Sequence, residues 1–201
     1  MQSYKICLIR HGITRANEEG LYVGKTDLPL SPSGLSRLIG RKKDSLYPPA
    51  TRFFAPPLAR CRQTLSVLYP GCTPEDTPGL SECDFGQWEG KSAAALQGDE
   101  PFQKWLTGES NDIPGGESAA AFQQRVTAAF QQLAQSLMQS GDTDAVVCAP
   151  GGVISLLMTA FALPRLSMKD WAAEDGQGFL VRLTPGIWMR EPVMECVCMV
   201  P

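Results

Sequence analysis

Ile6-Cys7-Leu8-Ile9-Arg10-His11-Gly12-Ile13-Thr14-Arg15-Ala16-Asn17 places the chain's one histidine directly after an apolar run, between an arginine and a glycine. The run is partly β-branched and lacks polar alternation, the pattern of a strand covered on both faces in a parallel sheet. Such sheets hold their ligands beyond the carboxyl ends of the strands. His11 stands at such an end. Imidazole is versatile, but it is also common as a surface or capping group, so its meaning depends on what the rest of the chain brings to it.

The 201 residues suffice for one domain spanning 1–201 with a sizeable core, and 43% hydrophobic with 19% charged residues is the balance of a soluble globular chain rather than a disordered one. A net charge of −3 and a pI near 5.2 give no general basic field for nucleic acid or an anionic membrane. Any bound anion must therefore be held by local arginines. The seven cysteines are odd in number, and only Cys196 and Cys198 are close in sequence, which points to reduced thiols and a cytoplasmic compartment. The first apolar run is too short for a secretory signal. The longest later one, residues 153–163, is broken by Ser155 and Thr159 and falls well below the ~20 residues of a membrane span. Oligomeric state leaves no mark in the composition.

Outward from the opening stretch, residues 18–32 are rich in Gly, Pro and Asp and read as an extended loop able to fold over whatever His11 holds. Ser33 is expected to cap a helix running to about Leu46, with Leu35, Leu38 and Ile39 on one face and Pro48-Pro49 stopping it. Residues 52–55 form a short β-prone run. Pro57 suits the first turn of a helix over about 58–69 that buries Leu58, Cys61, Leu65 and Leu68. Arg60 then lies near a strand-to-helix junction, a candidate anion site.

Residues 70–79 are a connector. Residues 80–90 mix three carboxylates, two aromatics and two glycines, which marks either a working loop or a turn packed by Phe85 and Trp88. A short helix is expected over 101–106 and a loop over 111–118. The clearest helix follows, with Phe122, Val126, Ala129, Phe130, Leu133 and Leu137 at spacings of three to four and Gly141 ending it. Residues 145–149 repeat the buried-strand pattern, ending at Pro150-Gly151-Gly152 before an apolar helix over about 153–162. Residues 179–183 and 194–200 read as late strands with a turn at Pro185-Gly186. Alternating strands and helices predict an α/β fold, a three-layer sandwich around a mostly parallel central sheet.

Several chemistries fail on spacing. Residues 86–92 hold three residues between glycines where a P-loop needs four. Asp84-Phe85-Gly86 lacks the glycine-rich and catalytic loops of a kinase. No cysteine has an arginine six positions later, no Gly-x-Ser-x-Gly elbow occurs, and one histidine with scattered cysteines makes no metal cluster.

Arg10-His11-Gly12 after a strand, with Thr14 and Asn17, resembles the signature of the histidine phosphatase superfamily, the phosphoglycerate mutase-like family. The likeness continues in order through residues 24–31 with Gly34, and through Pro57-Leu58-Ala59-Arg60-Cys61-Arg62-Gln63-Thr64, which is similar to the helix bearing the family's second arginine. Residues 80–90 resemble its general-acid loop in the form found in the phosphatase branch and in α-ribazole phosphatases. Pro114-Gly115-Gly116-Glu117-Ser118 matches that branch too.

The resemblance implies a phosphoglycerate mutase-like fold and a phosphatase acting on a small phosphorylated metabolite, without metal or cofactor. By that likeness His11 is the nucleophile that becomes phosphohistidine, and Glu82 is the general acid and then base. Arg10, Asn17, Gly24, Arg60 and Gly151 bind the substrate. The family carries a second histidine just before the glycine pair, where this chain has Pro150, and a serine where it has Pro56. Proline offers neither a side-chain donor nor an N–H. A relative that only binds a phosphorylated ligand or a protein partner is the alternative.

Overall fold

The apolar run forms the centre of β1 (Tyr4–Arg10), and the computed structural model describes residues 2–44 and 46–201. In chain order there follow α1 (Arg15–Glu18), α2 (Pro32–Asp44), β2 (Arg52–Ala55), α3 (Ala59–Leu68), β3 (Glu75–Asp76), α4 (Glu100–Thr107) and α5 (Ala119–Ser140). The second half adds β4 (Asp144–Ala149), α6 (Gly151–Phe161), β5 (Ala162–Leu163), β6 (Gly178–Leu183), α7 (Pro185–Trp188) and β7 (Met194–Val200).

Seven strands make one sheet in the order β3-β2-β4-β1-β6-β7-β5. The β3-β2-β4-β1 half is parallel, β6 runs antiparallel to both β1 and β7, and β5 is parallel to β7. The sheet is thus mixed and mostly parallel, as the strand–helix alternation requires. β1 is buried on both faces because its side chains alternate between two cores. Ile6 and Leu8 pack with Phe122, Val126 and Phe130 of α5 and Val153 and Leu157 of α6. Cys7 and Ile9 pack with Leu38 of α2 and Cys61 and Leu65 of α3 on the other face. These are the three layers.

Local boundaries follow from caps. α5 starts where Ser118 Oγ accepts the Ala121 N–H and ends at Gly141 with φ of 80°. α2 corrects the sequence reading: its cap is Ser31, whose Oγ accepts the Gly34 N–H at 3.0 Å, with Pro32 opening the helix. Ser33 lies inside the helix because proline is favoured at the first helical position, which moves the cap one residue ahead of it. Of its expected apolar face only Leu38 is buried, whereas Leu35 and Ile39 are exposed. α2 closes at Asp44, and residue 45 of the expected helix lies outside the described residues. Leu58 caps α3, so Pro57 precedes that helix rather than opening it. Pro185-Gly186 begins the one-turn α7 instead of a simple turn.

Among the described residues, no helix is long and apolar enough to cross a membrane, and no three His, Cys, Asp or Glu side chains are grouped to hold a metal ion. The seven cysteines are all free thiols.

Candidate active site

β1 and β4 are adjacent and parallel, with Arg10 opposite Ala149. Their carboxyl ends therefore deliver the Arg10-His11-Gly12 turn and the Pro150-Gly151-Gly152 turn side by side. The His11 N–H continues the ladder by donating to the Ala149 carbonyl at 3.2 Å. His11 is only 6% exposed. Its Nδ1 lies 2.7 Å from the Gly12 carbonyl oxygen. A carbonyl can only accept, so Nδ1 carries the proton and Nε2 presents its lone pair. Burial, together with the nearby Arg60 and Arg10 guanidinium groups, pushes the imidazole pKa down to about 3 against the opposing pull of the Gly12 carbonyl. The ring is neutral at pH 7.

Arg60 sits in the first turn of α3 and is 1% exposed. Nη1 donates to the Thr26 carbonyl at 2.9 Å and Nη2 to the Gly24 carbonyl at 2.8 Å. A guanidinium has five N–H donors, so these two bonds orient the group while keeping capacity for an anion. Arg10 donates from Nη1 to the Ala173 carbonyl at 2.7 Å, and its Nε is buried with no hydrogen-bond partner. A buried unpaired guanidinium N–H is costly. An acceptor oxygen there would relieve it.

Glu82 meets the same turn from the 80–90 loop. Its Oε2 accepts the Gly152 N–H at 3.0 Å and its Oε1 the Cys83 N–H at 3.1 Å. Burial raises its pKa, outweighing these two backbone bonds and the Arg60 and Arg10 charges. The glycine pair makes this convergence possible. A Cβ on Gly151 would lie 3.2 Å from Arg10 Nε, and one on Gly152 would lie 2.5 Å from Glu82 Oε1. Because α6 begins at Gly151, the helix-start N–H groups face this region, but that of Gly152 is engaged by Glu82.

Asn17 is exposed on α1, and its Oδ1 accepts from the Thr14 N–H at 3.1 Å and the Thr14 hydroxyl at 3.0 Å. This capping box turns the amide so that NH₂ is its remaining donor. Gly24 is buried and contributes backbone only: its carbonyl takes Arg60 and its N–H donates to Glu89 Oε1 at 2.9 Å. A Cβ there would stand 1.6 Å from the Cys83 carbonyl oxygen. Gly24→Ala is therefore expected to push the 24–26 and 82–83 segments apart. Thermal denaturation should show a loss of about 1–3 kcal/mol, or roughly 2–4 °C in Tm per kcal/mol.

Sequence reading missed the residues that hold these groups. Glu89 gathers the N–H groups of Gly24, Lys25 and Phe85 on Oε1 and the Thr26 hydroxyl on Oε2 at 2.6 Å. Thr64 Oγ1 accepts the Gly12 N–H at 2.9 Å and donates to the Arg60 carbonyl at 2.7 Å, linking the histidine turn to α3. Arg125 of α5 pairs with Glu117 and donates to the Gly79, Ser81 and Glu82 carbonyls, clamping the Glu82 loop. The loop is also packed by aromatics, with Tyr22, Phe85, Trp88, Phe102 and Trp105 in mutual contact. The packed turn expected of Phe85 and Trp88 is thus present, and the same loop carries Glu82 to the Gly152 turn. Glu89 was visible only as one carboxylate among three, Thr64 only as the last residue of the stretch around Arg60, with no role of its own, and nothing at the sequence level marked Arg125.

The Arg10-His11-Gly12 turn, α3 and the 80–90 loop thus bring a neutral imidazole, two guanidinium groups and a carboxyl of raised pKa together at the carboxyl edge of a mostly parallel sheet, an arrangement suited to receiving an anion. The chain belongs to the histidine phosphatase superfamily (branch 1), whose family profile matches residues 6–186. It is 30% identical over 178 residues to adenosylcobalamin/α-ribazole phosphatase of Salmonella typhi, covering 86% of this chain and 87% of that protein. It is 25% identical over 211 residues to a 2,3-bisphosphoglycerate-dependent phosphoglycerate mutase of Chlamydia trachomatis, covering 89% and 93%. The fold matches α-ribazole phosphatase from Shigella flexneri with a TM-score of 0.80 at 23% identity, over 98% of this chain and 96% of that one. It also matches phosphoglycerate mutase from Thermus thermophilus, with a TM-score of 0.69 at 27% identity over 98% of each chain.

Proposed function

We propose that this protein hydrolyses a small-molecule phosphomonoester through His11. Nε2 attacks phosphorus, an N–P bond forms as the P–O ester bond breaks, and Glu82 gives its proton to the departing alkoxide. The resulting carboxylate then takes a proton from water. The water oxygen bonds to phosphorus, the N–P bond breaks, and inorganic phosphate leaves. Arg10 and Arg60 hold the phosphoryl oxygens, Asn17 adds a neutral donor, Gly24 orients Arg60 through its carbonyl, and Gly151 leaves room for the Arg10 guanidinium. The observation carrying this reading is the neutral, tautomer-fixed imidazole between two arginines, with a carboxyl whose pKa is raised by burial on the adjacent turn. The family supports phosphatase chemistry, and α-ribazole phosphate is the substrate suggested by the named relatives.

Pro150 favours a second reading, a pocket that binds a phosphorylated ligand with little or no turnover. It is buried at the start of α6 and gives the site no side-chain hydrogen bond. Losing one donor to transition-state charge typically costs ~10²–10³ in rate, so a reduced activity fits the first reading. Pro150→His is expected to raise kcat for an alkyl phosphate by up to ~10²-fold, measured as phosphate release at several pH values beside wild type and His11→Ala. Wild-type release above that of His11→Ala supports the enzyme. Wild type equal to His11→Ala, with activity gained only on Pro150→His, leaves the binding reading.

A further inference from the structure

Arg10 is held by one five-residue segment. Its backbone N–H donates to the Gln177 carbonyl at 2.8 Å, its carbonyl accepts the Gly176 N–H at 3.0 Å, and its Nη1 donates to the Ala173 carbonyl at 2.7 Å. Residues 164–177 link β5 to β6 outside any helix or strand, so the Ala173 carbonyl is placed by whatever else the segment touches. It touches α2 and the residues just after it. Asp175 Oδ1 lies 3.0 Å from Arg37 Nη2, Glu174 Oε2 accepts from Arg41 Nη2 at 2.8 Å, and the Gly176 carbonyl accepts the Tyr47 hydroxyl at 2.9 Å.

The two ion pairs differ. The Glu174 side chain is 70% exposed, where a pair is worth little. The Asp175 side chain is 7% exposed, and its Oδ2 is buried with no hydrogen-bond partner. A buried carboxylate oxygen left unpaired is costly, and buried ion pairs seldom add net stability, their better-attested effect being a fixed register. Here the register is that of the segment on α2. That helix is keyed in turn to the residues after His11. The Ser31 N–H donates to the Ile13 carbonyl at 2.9 Å, a Cβ on Gly34 would stand 2.2 Å from that oxygen, and one on Gly12 would stand 2.5 Å from Leu38 Cδ1. Asp175 therefore lies on a closed path of contacts that runs from the histidine turn through α2 and back to the Arg10 guanidinium.

Resting on the phosphatase reading, we propose that Asp175 is a positioning residue: by pairing with Arg37 it sets the 173–177 segment on α2 and so aims the Arg10 guanidinium at a phosphoryl oxygen. It acts through the Ala173 carbonyl rather than by touching substrate. A guanidinium misplaced relative to the imidazole loses its worth in holding charge during transfer, because that worth depends on orientation.

Asp175→Asn keeps the shape and removes the charge. It should weaken the binding of inorganic phosphate, titrated by NMR so that millimolar dissociation constants are reached, by roughly 10-fold and up to ~10²-fold, the scale of a contact misplaced by about 1 Å. Arg37 is half-exposed, so Arg37→Gln breaks the same pair without entering the core. It should repeat the loss, and Arg37→Lys, which keeps the cation, should retain most of the affinity. In an Arg10→Ala background Asp175→Asn should have no further effect, whereas in an Arg60→Ala background its full factor should remain. The Arg10 Nε–H resonance should shift in Asp175→Asn while that of Arg60 stays in place. Should Asp175→Asn fail to fold, Arg37→Gln decides by the same readings. Wild-type affinity in the variants, or an equal loss with and without Arg10, overturns the role of Asp175 while leaving the phosphatase standing. Phosphate binding with the expected pattern but no ester hydrolysis removes the phosphatase reading and leaves Asp175 its role. A wild type that binds no phosphate overturns both.

Discussion

His11→Ala is expected to lower phosphatase kcat/KM by roughly 10⁴- to 10⁶-fold, the scale seen when a covalent nucleophile is removed. The chain has no other histidine to take its place. Rapid-quench labelling of wild type at low pH with a radiolabelled phosphomonoester should trap an acid-labile, base-stable phosphoenzyme that the variant lacks. Retention of label or rate by His11→Ala would sink the mechanism. The same variant has a distinct signature in stability. The imidazole pKa falls from 6.5 to about 3 on folding, so the unfolded chain takes the proton first as pH drops below 6.5. Wild-type stability is lost progressively from there toward pH 3. His11→Ala should flatten that part of the acid-side decline in Tm.

Glu82→Gln should cost about 10²–10⁴ in kcat/KM for an alkyl ester, the usual worth of general acid–base catalysis. The loss should be much smaller for p-nitrophenyl phosphate, whose leaving group needs no proton in the first step. Because the carboxyl must hold a proton to act as acid, wild-type phosphorylation should fall as pH rises through the raised Glu82 pKa. That limb should vanish in Glu82→Gln. The stability linkage runs opposite to that of His11. The folded state holds the Glu82 proton more tightly than the unfolded state, whose ordinary value is 4.5. Stability therefore falls as pH rises from 4.5 through the raised value. Equal losses for both esters would make Glu82 a structural residue rather than a proton donor.

Much of this arrangement was legible along the chain. The 6–9 run, the heptad-like spacing of α5 and the 145–149 run each carry their burial pattern in a few adjacent residues, and the structure places all three where that pattern puts them. Arg10, His11 and Gly12 are legible because a strand end is a local event. Ser31 escaped because one residue of phase at a helix start is decided by which hydroxyl meets the Gly34 N–H. Leu35 and Ile39 were misassigned because α2 packs through one narrow stripe, so helical periodicity there overstates the buried face.

The order of residues settles which chemical groups are available: one imidazole, two well-placed arginines, one carboxyl in an unusual loop, and a proline before the glycine pair. The state of each group comes from folding. It neutralises His11 and points its Nδ1 at the Gly12 carbonyl, raises the Glu82 pKa by burial, and orients Arg60 through the Gly24 and Thr26 carbonyls. These are properties of proximity and desolvation between segments up to seventy residues apart, such as the Glu82–Gly152 bond. No pattern along the chain encodes a distance of that kind, because it exists only once the sheet has aligned β1 with β4.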